Sequence, residues 1–495
     1  MNIIKKYLED RNPEVTLFFG YVSYIIIGVI FLSISFFRLA HIPFLDNLFI
    51  TVSAISTTGL ATINIAENYS ILGQIVILIL IQFGGIGYMT FGSFIILSTK
   101  HSLSQDREVV HKTAFSLPKE FKISKFIKSI VVYTLSIEVI GTILLYFAFR
   151  GDPRVNPVWS AFFHSVSSFC TAGFSLYSNS FESYANNTFL NLIVFALSFL
   201  GAIGYIVMVD VWLVLKGKKD NITFTSKVII TTTITLLILG TLFLFTEAFF
   251  KNDTSLIRAN VLLQSFFQTM TALTTVGFNT VPIGALKSSS LFILTLLMII
   301  GASPSGTGGG IKSTTLSALF GILGSIFSYK KEFVNYKIKQ DKKVITRSTK
   351  HNKLLGVFSI KKPEVTTEEI IENADDLDSI FGEIFKIKLM NRTIPFDRVI
   401  YAIANFTFYF IILFFGVFLL LTIEDFSFEA IFFESASALG TVGLSTGITS
   451  SLSGLGKFVI IILMFIGRIG PLTFGIVLLN RRKIRTIKEY EDIVI

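Results

Sequence analysis

The chain has 495 residues, 52% hydrophobic, 14% aromatic and only 15% charged, with 52 Phe, a formal net charge of +10 and a mean hydropathy of +0.69. A water-soluble domain runs nearer a quarter charged, so the composition excludes a soluble globular protein and reads as an all-α polytopic membrane protein. The single cysteine, Cys170, excludes a disulfide framework and Cys-rich metal sites, and five histidines with no HExxH pair exclude a zincin, so no transition metal is expected.

A helix crossing ~30 Å of hydrocarbon needs roughly 20 apolar residues. In chain order, spans are predicted at 16–37, 71–97, 130–149, 190–215, 228–250, 291–300 running on to 316–327, 399–421 and 458–479. The first run is too long for a signal-peptide core, and no small-residue cleavage site follows it. Of the 43 Lys and Arg, 34 lie in residues 1–14, 99–128, 216–227, 329–398 and the tail after 479. By the positive-inside rule both termini are expected in the cytoplasm of a multi-pass cell-membrane protein. The same asymmetry accounts for the +10 with no nucleic-acid partner.

The opposite loops carry related strings. They read Ser56-Thr57-Thr58-Gly59-Leu60, Cys170-Thr171-Ala172-Gly173-Phe174, Thr274-Thr275-Val276-Gly277-Phe278 and Gly440-Thr441-Val442-Gly443-Leu444. A short helix-compatible run precedes each, at 48–55, 161–169, 261–273 and 430–439, and a span follows each. The unit is span, half-helix, Thr-x-Gly-apolar loop, span, four times over. The predicted boundaries are 1–98, 99–216 and 217–330 for three repeats, a cytoplasmic insertion at 331–390, and 391–495 for the fourth repeat and a basic tail.

An ion leaving water must exchange its hydration shell for protein oxygens. Short loops of small residues can supply them from backbone carbonyls, with threonine adding a hydroxyl and glycine permitting the turn. Half-helices would aim their negative ends at a cation. One Thr-x-Gly is compatible with an ordinary turn, but four in equivalent places, all on one side, require a common role.

These strings are similar to reduced copies of the potassium-channel sequence TVGYG, and four in one chain resemble the Trk/Ktr/HKT superfamily of potassium transporters. The resemblance covers nearly the whole chain outside the insertion. It implies four pseudo-repeats around a central pore, with K⁺ as the transported ion at a filter of Thr57, Thr58, Gly59, Thr171, Ala172, Gly173, Thr275, Val276, Gly277, Thr441, Val442 and Gly443. In that family glycine at the centre of all four loops goes with K⁺ selectivity. A less selective Na⁺/K⁺ pathway is the alternative, since every string lacks the second glycine of TVGYG.

Two further features match the family. Residues 301–312 break the third repeat's second span, and five glycines with a proline cannot hold a helix. The resemblance implies a gating loop here, including Gly306, Thr307, Gly308, Gly309, Gly310 and Lys312. A phosphate-binding loop fails, because Ile311 rather than glycine precedes Lys312 and no strand lies upstream. Arg468 is a costly mid-span charge, and the family has a pore-facing arginine there that limits conduction. A structural ion pair is the competing reading, with Glu138 as the other intramembrane charge.

Gly84, Gly85, Gly87, Gly201 and Gly204 read as helix-packing positions, His164 as packing rather than ligand, and Cys170 as lying near the pore mouth. Only one span precedes the first loop, which resembles the Ktr membrane subunit. That implies a homodimer on a cytosolic ring of RCK/KTN-type regulatory subunits that bind nucleotide, with no cofactor in this chain. Within the insertion, Thr366 and Glu369 stand at capping-box spacing before an amphipathic stripe. A docking helix and a linker both fit that pattern.

Overall fold

The computed structural model describes residues 13–87, 123–250, 260–325, 387–390 and 392–478. Four times the chain makes a helix, a buried half-helix and a second helix that ends at or beside a glycine. The first repeat comprises α1 (Pro13–Ser33), α2 (Phe44–Ile55) and α3 (Ile71–Ile86). The second comprises α4 (Ile123–Phe149), α5 (Pro157–Phe169), α6 (Thr188–Ala202) and α7 (Tyr205–Leu215). In the third, α8 (Phe224–Phe250), α9 (Val261–Thr274) and α10 (Ser288–Ile300) lead to α11 (Ser313–Ser325). The fourth is α12 (Phe396–Ile423), α13 (Phe428–Leu439), α14 (Gly454–Ile469) and α15 (Pro471–Leu478).

The long helices are apolar on every side. On α4, Val132, Leu135, Val139, Ile140 and Ile143 face outward while Thr134, Glu138, Leu145 and Phe149 are buried. On α12, Phe414, Phe415 and Phe418 face outward and Tyr409, Leu413 and Val417 inward. Water would not tolerate such a surface, and hydrocarbon requires it.

The half-helices start where a cap supplies an acceptor or proline removes a donor. Pro43 precedes α2, Asn156 accepts from Trp159 N with Pro157 behind it, and Ser427 accepts from Ala430 N. Their inner ends are buried and rich in hydroxyls: Ser53, Thr57, Ser167, Thr171, Thr275, Ser437 and Thr441 are all 0% exposed. The centre of the molecule is therefore polar and its outside apolar.

Among the described residues the second helices of repeats two, three and four are interrupted, not the third alone as the hydropathy pattern predicts. Helix α3 ends at Gly87 (φ +87°), α6 gives way to α7 at Gly204 (φ +94°), α10 ends at Gly301 (φ +64°) and α14 at Gly470 (φ +94°). Left-handed backbone at such φ is cheap only for glycine. The predicted span 190–215 is thus bent by 99°, and of the predicted span 71–97 the described residues form a helix over Ile71–Ile86. Among the described residues, Phe126–Phe149, Phe224–Phe250 and Arg398–Ile423 are long and apolar enough to cross a membrane unbroken, and the pair α6–α7 is a fourth if taken as one span.

Contacts outside the centre join successive repeats. Trp159 Nε1 donates to Gln74 Oε1 at 2.6 Å, Asn279 Nδ2 to Glu182 Oε1 at 2.8 Å, and Lys457 Nζ pairs with Asp46 Oδ1 at 2.7 Å. The last bond ties the fourth repeat back to the first. Its side chains are only 16% and 9% exposed, so Lys457→Met should cost about 3 kcal/mol by leaving the Asp46 charge buried and unpaired. A lowered melting midpoint in detergent, partly recovered by adding Asp46→Asn, is the expected result.

Residues 315–404 form a second compact unit. Its described part is most of α11, an antiparallel pairing of Lys388–Leu389 with Arg392–Thr393, and the start of α12. The predicted helix around 366–384 lies outside the described residues.

Candidate functional site

The four Thr-x-Gly strings share one backbone conformation. Thr57, Thr171, Thr275 and Thr441 have φ of +54°, +49°, +58° and +49°, while the glycines two residues on have φ of +90°, +64°, +83° and +95°. Between them Thr58, Ala172, Val276 and Val442 keep negative φ. A threonine in the left-handed region costs on the order of 1–2 kcal/mol, and such strain collects at functional sites.

The strain is held by helix-end hydrogen bonds. Thr58 N donates to Ser53 O at 2.8 Å and Thr57 N to Ala54 O at 3.1 Å. Ala172 and Thr171 make the same pair with Ser167 O and Ser168 O, as do Val442 and Thr441 with Ser437 O and Ala438 O. This is the Schellman termination, with threonine where glycine is usual. Side chains add to it: Ser53 Oγ accepts from Gly59 N at 3.1 Å and donates to Leu60 O at 2.6 Å, Ser437 Oγ accepts from Gly443 N at 3.0 Å, and Ser167 Oγ donates to Phe174 O at 2.9 Å. Ser53, Ser167, Thr271 and Ser437 each stand six positions before the loop glycine. Sequence reasoning missed them, although that constant spacing was visible.

The loops close into a ring. A Cβ added to Gly59 would lie 2.3 Å from Ala172 O, and one at Gly173 2.3 Å from Val276 O. At Gly277 it would lie 2.0 Å from Val442 O, and at Gly443 2.1 Å from Thr58 O. Each glycine thus abuts the next loop's carbonyl, in cyclic order. The residue after each glycine is buried outside the ring: Leu60, Phe174, Phe278 and Leu444 are at most 1% exposed.

The Gly-rich segment 301–312 sits against the threonines of all four loops. Thr171 Oγ1 donates to Thr307 Oγ1 at 3.0 Å, and Thr57 Oγ1 lies 3.5 Å from Thr307 O. Gly309 N donates to Thr275 Oγ1 at 3.0 Å, and a Cβ on Gly309 would meet Thr441 Oγ1 at 2.2 Å. Several of the segment's own polar groups are bonded. Ala302 N donates to Gly309 O, Thr307 N to Gly201 O, Ile311 N to Ile299 O and Lys312 Nζ to Gly308 O, at 3.0, 3.1, 2.9 and 2.7 Å. The far side is fastened to the break between α6 and α7, where Ser303 Oγ donates to Ala202 O at 2.6 Å and Tyr205 N to Ser305 O at 3.1 Å.

Arg468 reaches the same place from the end of α14. Its Nη1 donates to Thr57 Oγ1 at 2.9 Å and to Thr307 O at 2.5 Å, and its Nη2 to Gly84 O. Glu138 instead accepts from Gln82 Nε2 at 3.1 Å and from the Cys170 thiol at 3.6 Å. The competing expectation of an Arg468–Glu138 ion pair therefore does not hold. Cys170 is 0% exposed with its Sγ against Gly85. Gly84 and Gly201 do pack helices closely, against Ile55 O and Phe169 O. Gly87 caps the end of α3 and Gly204 separates α6 from α7 instead.

The fold and this site define a helical membrane transporter for cations rather than an enzyme. The family model described as TrkH, cation transport protein, matches residues 20–485, and the chain belongs to that family. It is 29% identical to the Ktr system potassium uptake protein B of Vibrio alginolyticus over 98% of this chain and 95% of that one. It is 30% identical to the Bacillus subtilis protein of the same name over 95% and 93%, and 31% identical to the potassium/sodium uptake protein NtpJ of Enterococcus hirae over 96% and 94%. The crystal structure of the potassium transporter TrkH from Vibrio parahaemolyticus has the same fold, with a TM-score of 0.66, 18% identity and coverage of 95% of this chain and 86% of that one.

Proposed function

We propose that this chain takes up K⁺ across the cell membrane through the ring formed by its four Thr-x-Gly loops. The observation that carries the reading is the alternation of left- and right-handed backbone at Thr57–Gly59 and its three counterparts, closed into a ring by glycine-to-carbonyl contacts. Alternating handedness turns successive carbonyls toward one side, where they can replace an ion's hydration shell. The threonine hydroxyls form the next layer inward. The names of the relatives from V. alginolyticus and B. subtilis support K⁺ as the ion.

Segment 301–312 is the gate in this reading. It lies directly under the threonine layer, and Arg468 and Lys312 hold its Thr307 and Gly308 carbonyls. The basic loops place both termini in the cytoplasm. The resemblance to the Ktr membrane subunit adds a homodimer and a cytosolic nucleotide-binding subunit on another chain, and the repeat boundaries are those drawn from the sequence.

The test is growth of a potassium-uptake-deficient bacterium at low K⁺ on expressing this chain, alone and with an RCK-type partner. Rescue by the wild-type chain and none by a filter-glycine variant is the expected result. No rescue by well-expressed protein with a partner present rejects the reading.

A further inference from the structure

Nine residues before each loop glycine, the half-helices carry Ile50, His164, Gln268 and Glu434. Three of these side chains are polar, buried and bonded to the segment that leaves the loop. His164 Nδ1 lies 2.7 Å from Ser160 O and so donates there. Its Nε2 is then the acceptor for Leu176 N at 3.3 Å and the Ser175 hydroxyl at 3.2 Å. Gln268 Nε2 donates to Thr280 Oγ1 at 3.0 Å.

In the fourth repeat the brace is a buried carboxyl group with two hydroxyl partners. Glu434 is 0% exposed; its Oε2 accepts from Ser445 Oγ at 2.9 Å and its Oε1 from Thr449 Oγ1. Ser445 Oγ also accepts from Gly447 N at 2.9 Å, which fixes the turn at Gly447 (φ +100°). Ser445 is two residues beyond Gly443, so the clamp spans the outer carbonyls of that loop. The first repeat has no such brace: Ile50 is apolar, and Thr62 Oγ1 at the matching height has no hydrogen-bond partner among the described residues.

We infer that Glu434 is a positioning residue for ion selectivity: its carboxylate holds Ser445 and Thr449 so that the Gly443 and Leu444 carbonyls keep a spacing suited to K⁺ rather than Na⁺. The inference rests on the filter reading above. Buried partners in a dry site are costly to leave unmade, so the segment cannot relax toward a smaller ion without breaking this bond. His164 and Gln268 act in the same sense on the second and third loops.

The experiment measures K⁺ and Na⁺ uptake by proteoliposomes carrying the full chain, with melting midpoints in detergent. Glu434→Ala should lower the K⁺/Na⁺ preference by about tenfold, the worth of the buried hydroxyl bonds it removes. Glu434→Gln, which retains one acceptor oxygen, should recover most of it. Where Glu434→Ala fails to fold, Thr449→Val, which leaves Ser445 on the carboxylate, should show a smaller loss. Gly443→Ser in the same assay separates the two readings. If it lowers the preference while folded Glu434 and Thr449 variants do not, even with a lower midpoint, the positioning role is overturned and the filter stands. If Gly443→Ser is also without effect, the filter reading fails and this inference with it.

Discussion

Gly59→Ser is expected to abolish most discrimination between K⁺ and Na⁺ and to lower K⁺ uptake. The position has φ +90°, where a β-carbon is strained, and that carbon would lie 2.3 Å from Ala172 O and 3.1 Å from the Gly173 Cα. Both neighbours are backbone of the adjacent loop, so no side chain can swing aside. Either the Ala172 carbonyl is displaced or the first loop retreats, and the ring loses its matched spacing. The serine hydroxyl also offers a competing oxygen. Tenfold in preference corresponds to about 1.4 kcal/mol, and left-handed strain at a non-glycine residue alone is of that size. Competitive uptake of the two ions into proteoliposomes is the measurement. Unchanged ratios in folded protein would remove Gly59 from the filter.

Arg468→Ala is expected to raise K⁺ flux in the absence of any regulatory subunit. The guanidinium binds Thr57 Oγ1 and the Thr307 and Gly84 carbonyls. In the proposed reading it therefore acts twice: it fastens segment 301–312 under the ring and places a positive charge beside the ion's path. At ~4 Å and an effective dielectric of ~20, repulsion of a passing ion is about 4 kcal/mol, a ceiling that water along the path reduces. A barrier lowered by only ~1.4 kcal/mol already gives tenfold. Because Glu138 is held by Gln82 and Cys170, the substitution orphans no carboxylate and the protein should remain folded. Lost expression, or flux equal to wild type, would assign Arg468 to bracing the fold.

The four loops were legible because everything that defines them is local. A short half-helix, a threonine forced left-handed by the helix end and a glycine two positions on recur within about a dozen residues, four times. The half-helix ends at Ile55, Phe169 and Leu439 agree with the expected runs. Their starts lie up to four residues earlier, where Pro43, Asn156 and Ser427 cap them. The break at Gly204 was not legible, because a single glycine in an apolar run costs a helix only ~1 kcal/mol, too little to mark a break. The Gly470-Pro471 pair was a visible breaker that the hydropathy reading passed over, and the glycine cluster of 301–312 with its proline was unmistakable.

By itself the sequence determined the membrane-spanning class, the fourfold unit and the residues at its turning points, since these follow from hydropathy, charge asymmetry and short-range backbone chemistry. Only the tertiary structure decided what meets at the centre. The order in which Gly59, Gly173, Gly277 and Gly443 abut one another, the docking of Thr307 and Gly309 on threonines from four repeats, and the choice of Gln82 and Cys170 rather than Arg468 as partners of Glu138 all join residues far apart in the chain. Such contacts are set by how four separately legible units pack around one axis, and no local pattern along the chain encodes that packing.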